Sequence, residues 1–398
     1  RLMRTTLEAA SPSTPEVNSA AALDWEFAES DTRGLTHGIH RYSGKFIPQV
    51  ARQAIELVTR PGDVVLDLYC GSGTTLLEAA QCRRHSIGID MNPLATMISR
   101  VKSCRMSMAE SSSALVTVME TASHLTSGQM NEPSLFGAEA SGQRVCHEDA
   151  IDWRLSAPWY TKWFQPRVLE QLVALHSSIA TVTHVQAREC ALVAFSDILR
   201  RVSNAKGGYP NVMFDKNAGK KSLPAPLFRT RLAEVLSAVD SLRDISDWIQ
   251  PSVSDGDARS LPLDSASVDA IVTHPPYIGS IPYAEYGVLS LTWLGHDAKA
   301  LDATLTGGKR QSRTVVERFQ ADYFAMFAEA FRVLRRSRHL FLMVANPVVK
   351  GETIDLVAMS KAGAANAGFI LAADAIRKGV NRRANKMAEE HLLFFLKP

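Results

Sequence analysis

The sequence predicts an α/β fold, a mostly parallel sheet carrying a helical insertion, on three observations. Short runs of buried-strand character recur along the chain: Val64-Val65-Leu66-Asp67-Leu68-Tyr69-Cys70, Ser86-Ile87-Gly88-Ile89 and Val268 to Val272. A glycine turn and a helix with Leu76, Leu77, Ala79 and Ala80 join the first two in the order strand, turn, helix, strand, which suits neighbouring parallel strands. From Lys102 to Pro251 the strand pattern gives way to two amphipathic helices, about Pro166 to Ala180 and Ala187 to Val202.

The glycine turn, Gly71-Ser72-Gly73-Thr74-Thr75, lets the backbone pass close to a ligand at the mouth of a parallel sheet, where open α/β folds bind their cofactors. Asp90 ends the next strand, 19 positions after Gly71, and suits a bidentate hold on ribose hydroxyls. A dinucleotide fingerprint fails because its third glycine would fall on Leu76. A phosphate-cradling P-loop fails because no Gly-Lys-Ser/Thr follows. What remains is D-x-x-x-G-x-G-T-T, beginning at Asp67.

The strand Val268 to Val272 runs through Thr273 into His274-Pro275-Pro276-Tyr277. Two successive prolines fix two φ angles and remove two N–H donors, so the carbonyls before them point outward without a competing partner. Acceptors beside the flat face of Tyr277 are what holds the exocyclic amine of a nucleobase swung out of a helix.

With these segments quoted, the chain resembles the amino-directed DNA methyltransferases, which act on the exocyclic amine of cytosine or adenine. It is most similar to the group whose catalytic turn reads T-S-P-P-Y. His40-Arg41-Tyr42-Ser43-Gly44-Lys45-Phe46-Ile47-Pro48 looks like the family segment that packs over the methionine end of the cofactor. Asp255-Gly256-Asp257-Ala258 looks like the third strand end, whose acid approaches the adenine amine. Phe324, Phe327, Phe331 and Leu334, before a strand His339 to Val344, match the helix and strand after the catalytic turn.

The resemblance implies a Rossmann-like class I methyltransferase core with a seven-stranded sheet and S-adenosylmethionine as cofactor. It divides the chain into a flexible leader (1–30), a cofactor-binding half (31–101), a helical insertion that reads as a DNA-recognition region (102–250) and a catalytic half (251–398). Asp67, Gly71, Gly73 and Thr74 then lie on the methionine and ribose side, Asp90 holds the ribose, Asp257 the adenine, and Lys45 with Phe46 closes the site. His274 and the Pro275 carbonyl would orient the target amine, with Pro276 fixing the turn and Tyr277 stacking on the base. The family usually has Ser, Asp or Asn where this chain has His274. Thr273 favours cytosine-N4, with adenine-N6, an RNA base or a catalytically silent DNA-binding subunit as alternatives.

Within the insertion, Trp153, Trp159, Tyr160, Trp163 and Phe164 read as helix packing rather than base stacking. Asp149, in Arg144 to Ala150, rivals Asp257 for the adenine contact. Arg200, Arg201, Lys206, Lys216, Lys220, Lys221, Arg229 and Arg231 face the single acid Asp215, and Gly207, Gly208, Pro210, Gly219, Pro224 and Pro226 mark this stretch as a loop. A basic loop between cofactor and catalytic segments suits phosphate contacts on double-stranded DNA. A second basic cluster, Arg377, Lys378, Arg382, Arg383 and Lys386, could flank the same groove.

Composition adds little. A net charge of +3 permits nucleic-acid binding without demanding it. Cys70, Cys82, Cys104, Cys146 and Cys190 form no C-x-x-C pair and no Cys/His ligand spacing, so a reduced, cytoplasmic protein without a metal site is expected. The family's setting makes a restriction or defence partner one possibility.

Overall fold

The computed structural model describes residues 17–127, 152–209, 211–278, 282–306, 314–349, 351–378 and 389–398. Its centre is a seven-stranded sheet in the order β3-β2-β1-β4-β5-β9-β8. The strands are β1 (Val64–Asp67), β2 (His85–Asp90), β3 (Ser252–Asp255), β4 (Val268–Thr273), β5 (Leu334–Val344), β8 (Ile370–Arg377) and β9 (Glu390–Lys397). The short pair β6 (Val348–Val349) and β7 (Glu352–Thr353) forms a separate hairpin. The ladders from β3 through β5 are parallel, and β9 inserts antiparallel between β5 and β8. This is the mostly parallel sheet that the strand runs predict, with the seven strands of the Rossmann-like core that the resemblance implies.

Alternation along the central strands sorts their side chains onto two faces. Leu66, Ile271, Leu340 and Leu342 pack with Phe319, Tyr323, Met326 and Phe327 of the helix Val315–Val333. Val65, Ala270, Val272 and Phe341 pack with Val50, Ala51, Ala54 and Ile55 of the helix Pro48–Val58. All six residues of β4 are buried, as a strand covered on both faces requires. The His274-Pro275-Pro276-Tyr277 turn therefore leaves a strand enclosed along its whole length.

Two readings of the sequence change here. Residues 17–30, assigned to a flexible leader, hold buried Val17, Ala20 and Trp25. The Trp25 ring stacks 6.2 Å from Phe341, its Nε1 donates to the Ala20 carbonyl at 2.8 Å, and Arg377 Nε donates to the Trp25 carbonyl at 3.0 Å. An indole that can bury its face and pair its N–H anchors the segment. Arg377 is accordingly buried against this segment and ion-paired with Glu390 at 2.5 Å, so it does not stand on an open basic surface. Asp149, Arg382, Arg383 and Lys386 lie outside the described residues.

The second change concerns the basic stretch. Arg200 and Arg201 close the helix Val185–Val202, and Arg229 and Arg231 lie on the helix Pro224–Ser241. Pro224 opens that helix at its first position, where a missing N–H and a fixed φ favour the start of a helix rather than a loop. Between the two helices the backbone is tied by Lys206 N–H to Met213 C=O at 2.7 Å and Asp215 N–H to Asn204 C=O at 2.8 Å.

The crossover from β2 to β3 contains the whole helical insertion, yet β2 and β3 are direct neighbours, with Asp90 opposite Asp255. The insertion is not separately cored. Its Leu169, Leu172, Phe195 and Leu199 share one apolar cluster with Ile98 and Val101 of the helix Pro93–Lys102 and with Leu289 and Trp293 of the helix Val288–Trp293. Tyr160, Phe164 and Phe195 pack around Trp293 with ring centroids 5.0, 5.9 and 5.2 Å away, which is the packing role predicted for the aromatics. Trp153, at 65% exposure, packs edge to face on Tyr160 at 5.5 Å from the solvent side.

Candidate active site

The C-terminal ends of β1, β2 and β4 open onto one cleft, lined by Gly71, Asp90, His274 and Pro276 together with Tyr42, Tyr69, Met91, Asn92 and Tyr283. Its floor continues into a smaller recess that adds Lys45, Phe46, Asp67 and Thr74. Chain topology thus brings the glycine turn and the His-Pro-Pro-Tyr turn, far apart in sequence, to a single opening. Such openings at strand ends are where α/β sheets bind ligands.

Asp90 is held from both sides. Gly71 N–H donates to Oδ2 and Asn92 N–H to Oδ1, each at 2.9 Å. Burial nonetheless pushes its carboxyl up to about 6. A carboxylate has about four acceptor sites, so two backbone bonds leave capacity for hydroxyls of a ligand. Asp67 sits one layer below, accepting from Thr273 Oγ1 at 2.7 Å and Tyr69 N–H at 3.2 Å, and burial raises it to about 6 as well. The Asp67–Thr273 bond ties the glycine turn to the residue preceding His274.

The two glycines do different things. Gly71 has φ +48° and a Cβ there would only touch Tyr42 Cε1 at 3.4 Å, so it serves the turn's conformation beside the open cleft. Gly73, at φ +79°, faces away from the cleft: an added Cβ would come within 2.2 Å of Ser99 Oγ and 3.0 Å of its Cα. It permits close packing of the helices Thr74–Gln81 and Pro93–Lys102. Thr74 begins the first of these helices and lines the recess.

Lys45 turns inward, its Nζ donating to the carbonyls of His37 at 2.9 Å and His40 at 2.7 Å, and burial lowers its pKa to about 8. Phe46 lies between Phe341, 6.1 Å away and stacked, and His274, 5.5 Å away. Asp257 does not line the cleft. Arg259, two residues on, grips it with Nε at 2.9 and 3.0 Å and Nη2 at 2.7 Å, and holds its carboxyl below the usual range against the opposing effect of burial. Met91 and Asn92, directly after Asp90, do line the cleft.

In the turn, His274 Nε2 lies 2.9 Å from the Tyr277 hydroxyl, with the rings edge to face at 5.2 Å. Burial, with the positive charge of Arg377 second, lowers the His274 pKa to about 4. The ring is therefore neutral across the physiological range and able to accept a hydrogen bond there. Pro275 is buried and Pro276 reaches the cleft. Tyr277 rests on the apolar cluster beneath β4 and reaches the site through its hydroxyl and His274.

Sequence reasoning missed the aromatic walls. Tyr42 and Tyr283 stack on each other at 5.9 Å and 25° across the cleft mouth. Nothing in local pattern marks Tyr283, but Asn92-Pro93 after an acidic strand end is a readable helix start, and Asn92 Oδ1 does cap Leu94 N–H at 3.1 Å. The predicted DNA contacts lie apart from the cleft floor. Arg200 donates to the Asn211 carbonyl at 2.9 Å, Lys206 stands 5.4 Å over the Tyr209 ring, and Lys216, Lys220 and Arg229 are exposed, with Arg201, while Lys221 is half-buried.

A family model for N6/N4 methyltransferases, described as DNA methylase, matches residues 22–100, the stretch from the docked leader through the glycine turn and Asp90. The chain is related to the amino-directed DNA methyltransferases. Among curated relatives, the Type II methyltransferase M.MvaI of Kocuria varians is 23% identical, over 81% of this chain and 80% of the relative. The Type II methyltransferase M.MjaII of Methanocaldococcus jannaschii is 22% identical over 66% of this chain, which spans 64% of that relative's length. The solved structure of TTHA0409 from Thermus thermophilus, complexed with S-adenosyl-L-methionine, aligns at 23% identity over 36% of this chain and 54% of the other, with a TM-score of 0.25. Against the Ser, Asp or Asn usual before the two prolines in amino-directed methyltransferases, this chain sets an imidazole.

Proposed function

We propose that the chain transfers a methyl group from S-adenosylmethionine to the exocyclic amine of a base flipped out of double-stranded DNA, with cytosine-N4 as the target. The observation that carries this reading is the shared cleft: the glycine turn and Asp90 face His274 and Pro276 across one opening. The donor set suits the cofactor. Asp90 offers acceptors to ribose hydroxyls, Gly71 permits close backbone approach, and Tyr42, Met91 and Tyr283 offer apolar faces to a flat ring.

When bound, the cofactor supplies an electrophilic methyl group on a sulfonium. The protein's part is to position and polarise the amine, whose lone pair is delocalised into the base. The Pro275 carbonyl and the neutral imidazole of His274, whose Nδ1 is the acceptor when Nε2–H donates to the Tyr277 hydroxyl, accept hydrogen bonds from the two amine protons, drawing the lone pair onto nitrogen. Phe46 and Tyr277 hold the imidazole in place from two sides. Holding the amine in line supplies most of the rate. After transfer the methylated amine is a far stronger acid than imidazolium, so even a ring with a pKa near 4 takes its proton.

Nucleoside mass analysis after incubation of duplex DNA with isotopically labelled cofactor tests the proposal. Label on N4-methylcytosine is expected. Label on adenine-N6 would overturn the choice of base, label on RNA alone the choice of polymer, and no label on any substrate the enzymatic reading.

A further inference from the structure

A second cleft adjoins the segment Tyr42 to Phe46, with a volume of about 470 Å³ and lined by Arg33, Arg41, Lys45, Thr74, Asp197 and Arg231 among others. It shares Tyr42, Lys45, Phe46 and Thr74 with the recess of the candidate active site, so these four residues form a wall common to the two spaces. The Phe46 ring lies 5.5 Å from His274.

The charges in this cleft are unequally engaged. Asp197, its one lining carboxylate, is taken up by Arg231 Nε at 2.8 Å and by Arg41 N–H at 3.1 Å. Arg231 is held further by Glu234 at 2.6 Å and the Gly38 carbonyl at 2.9 Å. Lys45 is bound to the His37 and His40 carbonyls and forms a fixed positive floor. His40 is buried and donates to or accepts from Ser196 Oγ at 2.9 Å, and His37 is paired with buried Glu78 at 2.7 Å. The guanidiniums of Arg33 and Arg41 are different. Both residues are exposed, and among the described residues neither guanidinium enters an ion pair or a hydrogen bond. Arg200 adds positive charge beside Arg41.

We infer that Arg33 and Arg41 seat a backbone phosphate of the DNA strand that carries the target base, next to the flipped nucleotide; this rests on the DNA methyltransferase reading. A phosphodiester is a monoanion with two free oxygens, matched to the forked donors of arginine. A base placed against His274 sits at the recess whose Tyr42, Lys45, Phe46 and Thr74 also line this cleft, which puts its own backbone on the side of Arg33 and Arg41. Such a contact gives register rather than sequence preference and anchors the strand while the base is out of the stack.

The test uses the full chain and duplexes in which one phosphate at a time, around the target base, is replaced by a neutral methylphosphonate. For the wild type, one position should weaken binding about tenfold or more, the effect of losing a charge-assisted pair. In Arg33→Gln/Arg41→Gln, affinity for unmodified duplex should fall by a similar factor. The sensitive position should lose its effect, and the salt slope should drop by about one to two units. Unchanged calorimetric affinity for S-adenosylmethionine checks that the variant is folded. Methylated product from both proteins with identical methylphosphonate profiles would overturn this inference alone. Failure of the wild type to bind or methylate duplex DNA would overturn the reading beneath it as well.

Discussion

Neutral His274 at every ordinary pH has a direct kinetic consequence. With its pKa lowered to about 4, about 97% of the rings are neutral at pH 5.5, whereas an unperturbed imidazole of pKa about 6.5 would be only about 9% neutral there. Turnover measured with saturating cofactor and DNA should therefore stay nearly level between pH 7.5 and 5.5, where an exposed histidine would give about a tenfold fall. Asp90 titrates within this window, but its protonation weakens the hold on cofactor and so raises KM rather than lowering kcat. The site's low pKa comes chiefly from burial, to which the Phe46 ring contributes. Phe46→Ala should admit water, raise the His274 pKa toward 6.5 and bring the acid limb into view. His274→Ala should lower kcat by about a hundredfold or more at pH 7.5 with little change in either binding constant. His274→Ser, which keeps an acceptor, should recover part of the loss. A wild-type acid limb near pH 6.5, or full activity in His274→Ala, would refute the assignment of imidazole as the neutral acceptor.

Three further outcomes follow from the same structure. Gly73→Ala should cost about 2 to 5 kcal/mol in urea unfolding, from the left-handed backbone and the overlap with Ser99, while Gly71→Ala should show its loss in cofactor calorimetry; equal stability of Gly73→Ala and wild type would contradict the close packing. Asp67 and Asp90 keep their protons to about pH 6 in the folded chain but lose them near 4 when unfolded, so stability should fall as pH rises from 4 to 6. Asp67→Asn should flatten that fall, and an unaltered slope would mean that Asp67 is ordinary in the folded chain. Replacing Lys216 and Lys220 with Gln should weaken duplex binding across sequences and reduce the salt slope by about two units, with cofactor affinity intact; an unchanged slope would mark them as merely solvated.

Much of the frame was legible because it is periodic or punctuated. The strand runs, the helices near Pro166–Ala180 and Val185–Val202, the glycine turn and the Pro-Pro turn each leave a local signature. What sequence could not supply depends on partners distant in the chain. Trp25 looks like part of a leader until Phe341 is beneath it. Asp257 stands in a motif-like position, but Arg259 consumes its carboxylate. The state of His274 is set by enclosure against Phe46 and by Arg377, residues from the other two ends of the sheet's sequence.

The crossover between β2 and β3 carries a lesson about how such a chain could diversify. Both strands are pinned by their own ladder, with Asp90 and Asp255 side by side, and by the helix Pro93–Lys102, whose Thr96 donates to Asp255, so their pairing does not depend on the length of the chain beyond that helix. The polypeptide in that interval behaves as an exchangeable cassette plugged into a fixed socket. The socket is small and definable: the apolar face of Met97, Ile98 and Val101 on one side and Leu289, Leu291 and Trp293 on the other. A replacement cassette that presents matching apolar volume to those six side chains could carry different exposed basic and aromatic residues, and so a new contact surface, while the chemistry at the strand ends is inherited intact.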